Sequence, residues 1–313
     1  MKSLSYTRSV ALTTSIQTLD ELHKQLLLIP LAPSSELQLQ WESSIQKIHY
    51  LLALAGKSVS PLQISNHLLH LDPKNPTPFK TEIESYRNSF DYLYHQWLVN
   101  SKVVEPSDLL EFYQTIFPKE TLTGDGDELK ASLQYIQINP EHPIIQAALA
   151  QILILSLSPF SAYNEQFSHL VFLLFMYKYG YDLRRLPVYE EQCVLDLTNY
   201  KNMILQSNRL DNVTPWLEYV CGRSIIAVEK TLTIVQQQKN NPTLSYTTLF
   251  ALNDRQQQII NIFNAPGAKV SNRLIQRKFK VSQITASRDL AKLADSGLIF
   301  AIGKGRSTYY TKV

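Results

Sequence analysis

Residues 142–186, HPIIQAALAQILILSLSPFSAYNEQFSHLVFLLFMYKYGYDLRRL, constrain the fold more than any other stretch of the chain. Residues 144–157 are apolar on nearly every face, as are 170–176. A helix apolar all round is a buried helix, not an amphipathic surface one. Between them lies a short polar loop, Ser158-Pro159-Phe160-Ser161-Ala162-Tyr163-Asn164-Glu165-Gln166. Pro159 lacks a backbone donor and fixes φ, which ends the first helix near residues 156–158. Pattern alone leaves two readings open: a plain hairpin of a helical core, or a hairpin whose loop carries chemistry.

The rest of the chain suits a helical protein. It is 44% hydrophobic with only 9 glycines, which favours helices over turn-rich β architecture. Its two cysteines, Cys193 and Cys221, are too few for a disulfide framework and too isolated for a metal-ligand spacing. Residues 1–18 hold Lys2 and Arg8 but no continuous apolar core, and no run reaches the ~18 apolar residues of a spanning helix. The expectation is a soluble cytoplasmic protein with no membrane partner.

Turn signals divide the chain. A first helix runs to about residue 30 with Leu19, Leu22 and Leu26 at helical spacing, ended by Pro30 and Pro33. A second spans about 35–55, with Gly56 past its end, and Ser60-Pro61 opens a third to about residue 71. The polar break at residues 72–78 precedes a long helix over 80–101, whose Tyr86, Tyr92, Tyr94 and Trp97 read as packing residues. Ser107 is the expected cap of the next helix, and Gly124-Asp125-Gly126 a turn. Beyond the central pair, one helix is expected over 190–207 and another over about 214–238, with Thr214 as its cap and Pro215 at its first position. The polar breaker at 239–243 is the expected domain boundary.

Three groups of words carry a resemblance. His142-Pro143, Ala147-Ala148, Ser158-Pro159-Phe160, Asn164 and Gly180-Tyr181 lie in the central stretch. Tyr86-Arg87-Asn88 lies upstream and Thr214-Pro215-Trp216-Leu217-Glu218 downstream. Together they resemble the Fic (filamentation-induced by cAMP) domain over most of residues 40–240. The implied fold is an all-helical bundle at 1–240, with N-terminal helices at 1–71 and the core motif at 142–186.

Active Fic proteins carry H-P-F-x-[D/E]-G-N-G-R-x-x-R at this loop, and here the word differs. The position of the general base holds Ser158, a hydroxyl too weak for the task near neutral pH. The position of the magnesium-binding carboxylate holds Ala162. The two glycines that let backbone N–H groups close on phosphate are Tyr163 and Glu165, the phosphate-pairing Arg is Gln166, and the last Arg is His169. Pro159, Phe160 and Asn164 match, so Asn164 is the one polar position retained. Loss of a positioned base costs about 10²- to 10⁴-fold in rate, and loss of one charge-stabilising donor roughly 10²- to 10³-fold. The resemblance therefore implies a degenerate site, with ATP and Mg²⁺ expected only if the pocket still functions. His169 as a substitute base is set against an ordinary polar or half-buried histidine, the favoured reading. Related proteins carry an inhibitory helix word with a Glu at its fifth position; its nearest match, Ser43-Ser44-Ile45-Gln46-Lys47-Ile48, has Lys47 there, and an ordinary amphipathic helix over about 35–54 is the favoured reading. The short stretch before His142 implies a reduced version of the family's β-hairpin flap.

Charge is uneven. The chain carries +3 in all, but residues 250–313 hold eleven Lys/Arg against three Asp/Glu, a balance of +8. A weakly acidic body with a basic end directs that end to a polyanion. The end reads as three helices, over 255–263, 272–279 and 283–296, with Ile284, Leu290 and Leu293 inward. Two strands follow, 298–302 and 307–311, around Gly303-Lys304-Gly305. That order, with Thr285-Ala286-Ser287-Arg288-Asp289-Leu290 and Arg306-Ser307-Thr308-Tyr309-Tyr310, resembles the winged helix-turn-helix domain appended to many Fic proteins, here at 250–313. In that geometry Ser282, Gln283, Thr285, Ser287 and Arg288 approach base edges, while Arg273, Arg277, Lys278, Lys304 and Arg306 neutralise phosphates.

The expected function is a DNA-binding transcriptional regulator on a catalytically degenerate Fic scaffold. It is expected to be a homodimer, with a nucleotide or a protein as effector at the core. The rival expectation is a Fic-type enzyme that transfers AMP or another phosphate-containing group to a protein hydroxyl, using Asn164 with Ser158 or His169.

Overall fold

The computed structural model describes residues 4–69, 78–138, 141–209, 212–240, 252–263, 269–295, 298–303 and 308–311. At its centre are α7 (Pro143–Leu157) and α8 (Asn164–Lys178). Residues 144–154 of α7 and 166–178 of α8 are buried without interruption, so both helices have neighbours on every side. α6 (Gly126–Ile138), α10 (Leu197–Arg209) and α11 (Thr214–Asn240) pack on α7, and α2 (Pro33–Leu54) and α4 (Lys80–Trp97) pack on α8. Ala148 leaves room for Trp216, whose buried indole Nε1 donates to the Ala148 carbonyl at 2.8 Å.

The N-terminal helices are part of this body. α1 (Val10–Leu28) buries Leu19, Leu22 and Leu26 and lies along α11. Thr7 N–H donates to Thr214 Oγ1 at 2.8 Å, and Val213 N–H to the Ser5 carbonyl at 2.9 Å. Thr214 thus spends its hydroxyl on the N-terminal segment instead of capping its own helix; the Val213 carbonyl receives the first turn, from Leu217. α3 (Pro61–Leu68) starts with a reciprocal box between Ser60 and Gln63.

Other boundaries also moved for identifiable reasons. α4 stops at Trp97 because Val99 and Asn100 donate to the carbonyls of Tyr177 and Lys178 at the end of α8. α5 (Pro106–Ile116) is capped at Glu105, whose N–H donates to Asp108 Oδ2 at 2.9 Å, and not at Ser107. The single helix expected over 190–207 is two, α9 (Tyr189–Leu195) and α10, broken at Asp196 where φ is −128° and ψ 53°. The aromatic series of α4 packs as expected: Tyr86 and Trp97 are buried, Tyr92 stacks on Phe112 at 5.0 Å, and the Arg185 guanidinium lies 4.0 Å from the Tyr94 ring.

Residues 252–311 build a separate hydrophobic cluster from Ile259, Phe263, Val270, Ile275, Ala286, Leu290, Leu293 and Ile299. Its elements are α12 (Asp254–Ile262), α13 (Asn272–Phe279), α14 (Gln283–Asp295), β1 (Phe300–Ile302) and β2 (Tyr309–Thr311). The strands pair antiparallel with Ala301 opposite Tyr310, and Val270 bridges to Tyr310 on the other side. The chain is therefore mainly α with one small two-stranded sheet among the described residues. The breakers at 72–77 and 241–243, Pro266-Gly267, Gly297, and the hairpin-tip residues Lys304, Gly305, Arg306 and Ser307 lie outside the described residues. No helix of the described residues is long and apolar enough to cross a membrane.

Candidate functional site

The α7–α8 loop is held from three directions. Ser158 ends α7 in the left-handed region, φ 44°, and turns the chain so that Pro159 and Phe160 point inward. Phe160 stacks on Tyr113 at 4.1 Å and meets the edge of Phe167 at 4.9 Å. From above, residues 121–124 lie along the loop as a strand-like segment. Thr123 and Gly124 both donate to the Pro159 carbonyl, at 2.8 and 3.0 Å, and Ser161 N–H donates to the Thr121 carbonyl at 3.0 Å. From within, Asn164 bonds Phe160 twice, accepting from its N–H at 3.0 Å and donating to its carbonyl at 2.7 Å. Gly124 is required by this closeness, since a Cβ there would sit 2.8 Å from Pro159 Cα.

Each remaining loop residue has a packing or pairing role. The Ala162 carbonyl accepts from the Tyr113 hydroxyl at 2.7 Å. Tyr163 adopts φ 53°, a conformation natural to glycine, and offsets that strain by stacking on Phe117 at 4.4 Å. Glu165 takes both its bonds from Lys201 Nζ, each 2.6 Å. Gln166 is buried.

His169 is buried. It is 2% exposed, with one ring nitrogen 3.3 Å from Gln151 Nε2 and the other 3.1 Å from the Tyr200 hydroxyl. Burial holds its pKa down to about 3, so the ring is neutral and satisfied at both ends. It is more deeply buried than expected and is not positioned as a base.

A cleft of about 290 Å³ opens beside the loop, lined by Leu155, Ser158, Asn164, Glu165, Lys201, Ile204 and Leu205. Its one acid and one base are paired with each other. The loop and this lining do not fit a magnesium-bound triphosphate: Ala162, outside the lining, offers only a backbone carbonyl that accepts from Tyr113, and the one carboxylate and the one cation of the cleft, Glu165 and Lys201, are bound to each other. Among the described residues, no group of three His, Cys, Asp or Glu side chains is placed to hold a metal ion. Lys201 and Tyr113 were not legible as parts of this site, because both come from elements distant in sequence and neither sits in a motif.

Lys47 of α2 is also buried. Its Nζ donates to the Arg185 carbonyl at 2.7 Å, while Ser43 Oγ donates to the Leu186 carbonyl at 2.7 Å. Burial lowers the Lys47 pKa and raises that of Glu190, and their mutual attraction opposes both shifts. Residues 183–185, the last of which presents the carbonyl bound by Lys47, all have positive φ (50°, 58° and 64°). Arg184 anchors them with a two-pronged contact to Glu36, at 2.9 and 2.8 Å.

At the basic end, Ser271 caps α13 and Ser282 caps α14, their hydroxyls accepting from Leu274 and Thr285 N–H groups. Asp289 is buried and bound by Arg255 Nε at 2.6 Å and Gln256 Nε2 at 2.8 Å, which ties α14 to α12. Arg273, Arg277, Lys278, Gln283, Ser287 and Arg288 are exposed. Ser282 and Thr285 bond each other through their hydroxyls at 2.9 Å, and Ser287 Oγ accepts from Asn272 Nδ2 at 2.7 Å. Ile284 was expected inward but is 66% exposed. The inward stripe is Ala286, Leu290 and Leu293, spaced i, i+4, i+7, and Ile284 lies about 200° around the helix from Ala286.

No family model matches the sequence, and no curated protein sequence matches it. Solved structures do match. A Fic family protein from Desulfovibrio desulfuricans G20 aligns over 99% of this chain and 98% of that one, with a TM-score of 0.64 at 15% identity. Fic-1 from C. elegans (residues 134–508) aligns over 72% of this chain and 73% of that one, with a TM-score of 0.58 at 16% identity. At such identities the likeness is one of fold: this chain has the mainly helical fold of Fic proteins.

Proposed function

We propose that the chain is a DNA-binding transcriptional regulator in which a Fic-type scaffold no longer transfers AMP. The observation that carries this reading is the exposed face of α13 and α14. It holds Arg273, Arg277, Lys278 and Arg288 on a small hydrophobic cluster of its own, in a segment whose balance is +8. Gln283 and Arg288 suit adenine and guanine edges respectively, and the other cations suit phosphates. Loss of the transferase is supported by Ser158 at the base position, by Ala162 at the metal position, and by the two bonds that commit Asn164 to the Phe160 backbone. A nucleotide or a protein meeting the scaffold biases DNA binding, and a homodimer presents two such faces to paired half-sites.

A gel-shift series with fragments of the protein's own promoter tests this. Each phosphate neutralised contributes about −0.9 to the slope of log affinity against log salt. A steep fall with salt is expected; failure to bind any fragment removes the reading.

The second reading, an AMP-type transferase with an unusual site, draws on the shared fold and on the cleft beside Ser158 and Asn164. Incubation with labelled ATP and Mg²⁺ separates the two. Labelling of the protein or a target, abolished in Asn164→Ala, supports the enzyme.

A further inference from the structure

The exposed face of α14 contains a residue that ordinary folding does not call for. Its buried stripe, Ala286, Leu290 and Leu293, is complete without Ile284. Ile284 stands on the opposite side in the first turn, beside exposed Gln283 and one turn before exposed Arg288. The neighbouring hydroxyls are committed locally: Ser282 to Thr285, and Ser287 to Asn272. Asn272 Nδ2 donates to the Gln283 backbone carbonyl at 3.3 Å, but among the described residues no hydrogen bond or ion pair engages the side chain of Gln283 or Arg288. What α14 offers outward is therefore one amide, one guanidinium and one branched apolar side chain.

A lone exposed isoleucine by itself requires no explanation. Its setting supplies one. The basic side chains Arg273, Arg277 and Lys278 on α13 are complementary to a phosphate backbone. In the major groove the single apolar feature of base edges is the C5-methyl group of thymine. We infer that Ile284 reads a thymine methyl in the major groove and so fixes an A·T pair in each half-site, next to the base contacted by Gln283 or Arg288. This rests on the DNA-binding reading above and adds the residue that discriminates thymine.

The test uses the full chain and the tightest duplex recovered from a random pool. Each thymine is replaced in turn by deoxyuridine, which removes only the methyl group. The wild type is expected to bind roughly fourfold more weakly when one particular thymine per half-site is replaced, the effect of losing one buried CH₃-sized group. Ile284→Ala should bind thymine and deoxyuridine duplexes equally, with the salt dependence unchanged. Ile284→Val should retain most of the discrimination. Because the side chain is exposed, these variants should melt with the wild type. A selected duplex bound specifically, yet with no thymine sensitive to deoxyuridine, overturns the inference while the regulator reading stands. So does a thymine preference that survives in Ile284→Ala, or an Ile284→Ala variant that changes only the oligomeric mass. Absence of binding to any duplex overturns both readings.

Discussion

The Asn164 side chain binds both backbone polar groups of Phe160: its amide accepts from the Phe160 N–H at 3.0 Å and donates to the Phe160 carbonyl at 2.7 Å. A side chain used in this way is a staple for the loop. It sets the turn between α7 and α8 and seats the Phe160 ring between Tyr113 and Phe167.

Asn164→Ala is accordingly a stability variant. It leaves two backbone groups of a buried residue without partners, at a cost of about 1–3 kcal/mol. Urea unfolding should show that loss, with faster amide exchange at residues 159–164. An unchanged midpoint would mean that water replaces the amide without cost.

Gly124→Ala tests the segment laid over the loop. A Cβ 2.8 Å from Pro159 Cα pushes against backbone, so residues 121–124 must lift from the loop. Overpacking of this kind costs about 1–3 kcal/mol. Thermal melting should fall, and exchange should quicken at residues 121–124 and 159–161 together. Protection that stays intact at both would show that the two segments accommodate the methyl group.

His169 gives a pH signature. Its folded pKa is lowered to about 3 by burial from an ordinary 6.5. As pH falls below 6.5 the unfolded chain takes up a proton that the fold refuses, so stability is complete above that pH and erodes toward pH 3. The slope reaches about 1.4 kcal/mol per pH unit. Unfolding free energy measured from pH 7 to pH 4 should vary less in His169→Gln than in the wild type. Parallel curves would contradict the buried neutral ring.

Lys47 and Glu190 should be coupled. Each is desolvated, and each charge is sustained by the other. Lys47→Met alone removes the positive charge that favours ionised Glu190 and leaves the Arg185 carbonyl without its donor, at a cost of about 1–3 kcal/mol. Adding Glu190→Gln should return part of that loss, so that the double variant is more stable than the sum of the singles. Additive losses measured by urea unfolding would show the charges to be independent.

Some of this was readable in advance because it depends on neighbours in sequence. The two all-apolar helices, the stop at Pro159, the start at Ser60-Pro61 and the turn at Gly56 follow from periodicity and local hydrogen bonding. Ile284 failed because an apolar residue near a buried stripe looks inward until the stripe is complete without it. Thr214 failed because its local task as a cap lost to a partner, Thr7, from the other end of the chain. His169 read as a polar or half-buried residue because its partners, Gln151 and Tyr200, sit on α7 and α10.

The sequence by itself determined that this chain is helical, that the apolar stretches 144–157 and 170–176 lie at its centre, and that its basic charge is gathered at one end. It did so because burial period, capping chemistry and net charge are properties of short segments. Only the tertiary structure decided that Asn164 is bound to Phe160, that residues 121–124 cover the loop, that Lys201 neutralises Glu165, and that Ile284 faces outward. These depend on which distant side chains the packing of α5, α7, α8 and α10, and of α12 to α14, brings within a few ångströms, and no local pattern encodes that distance.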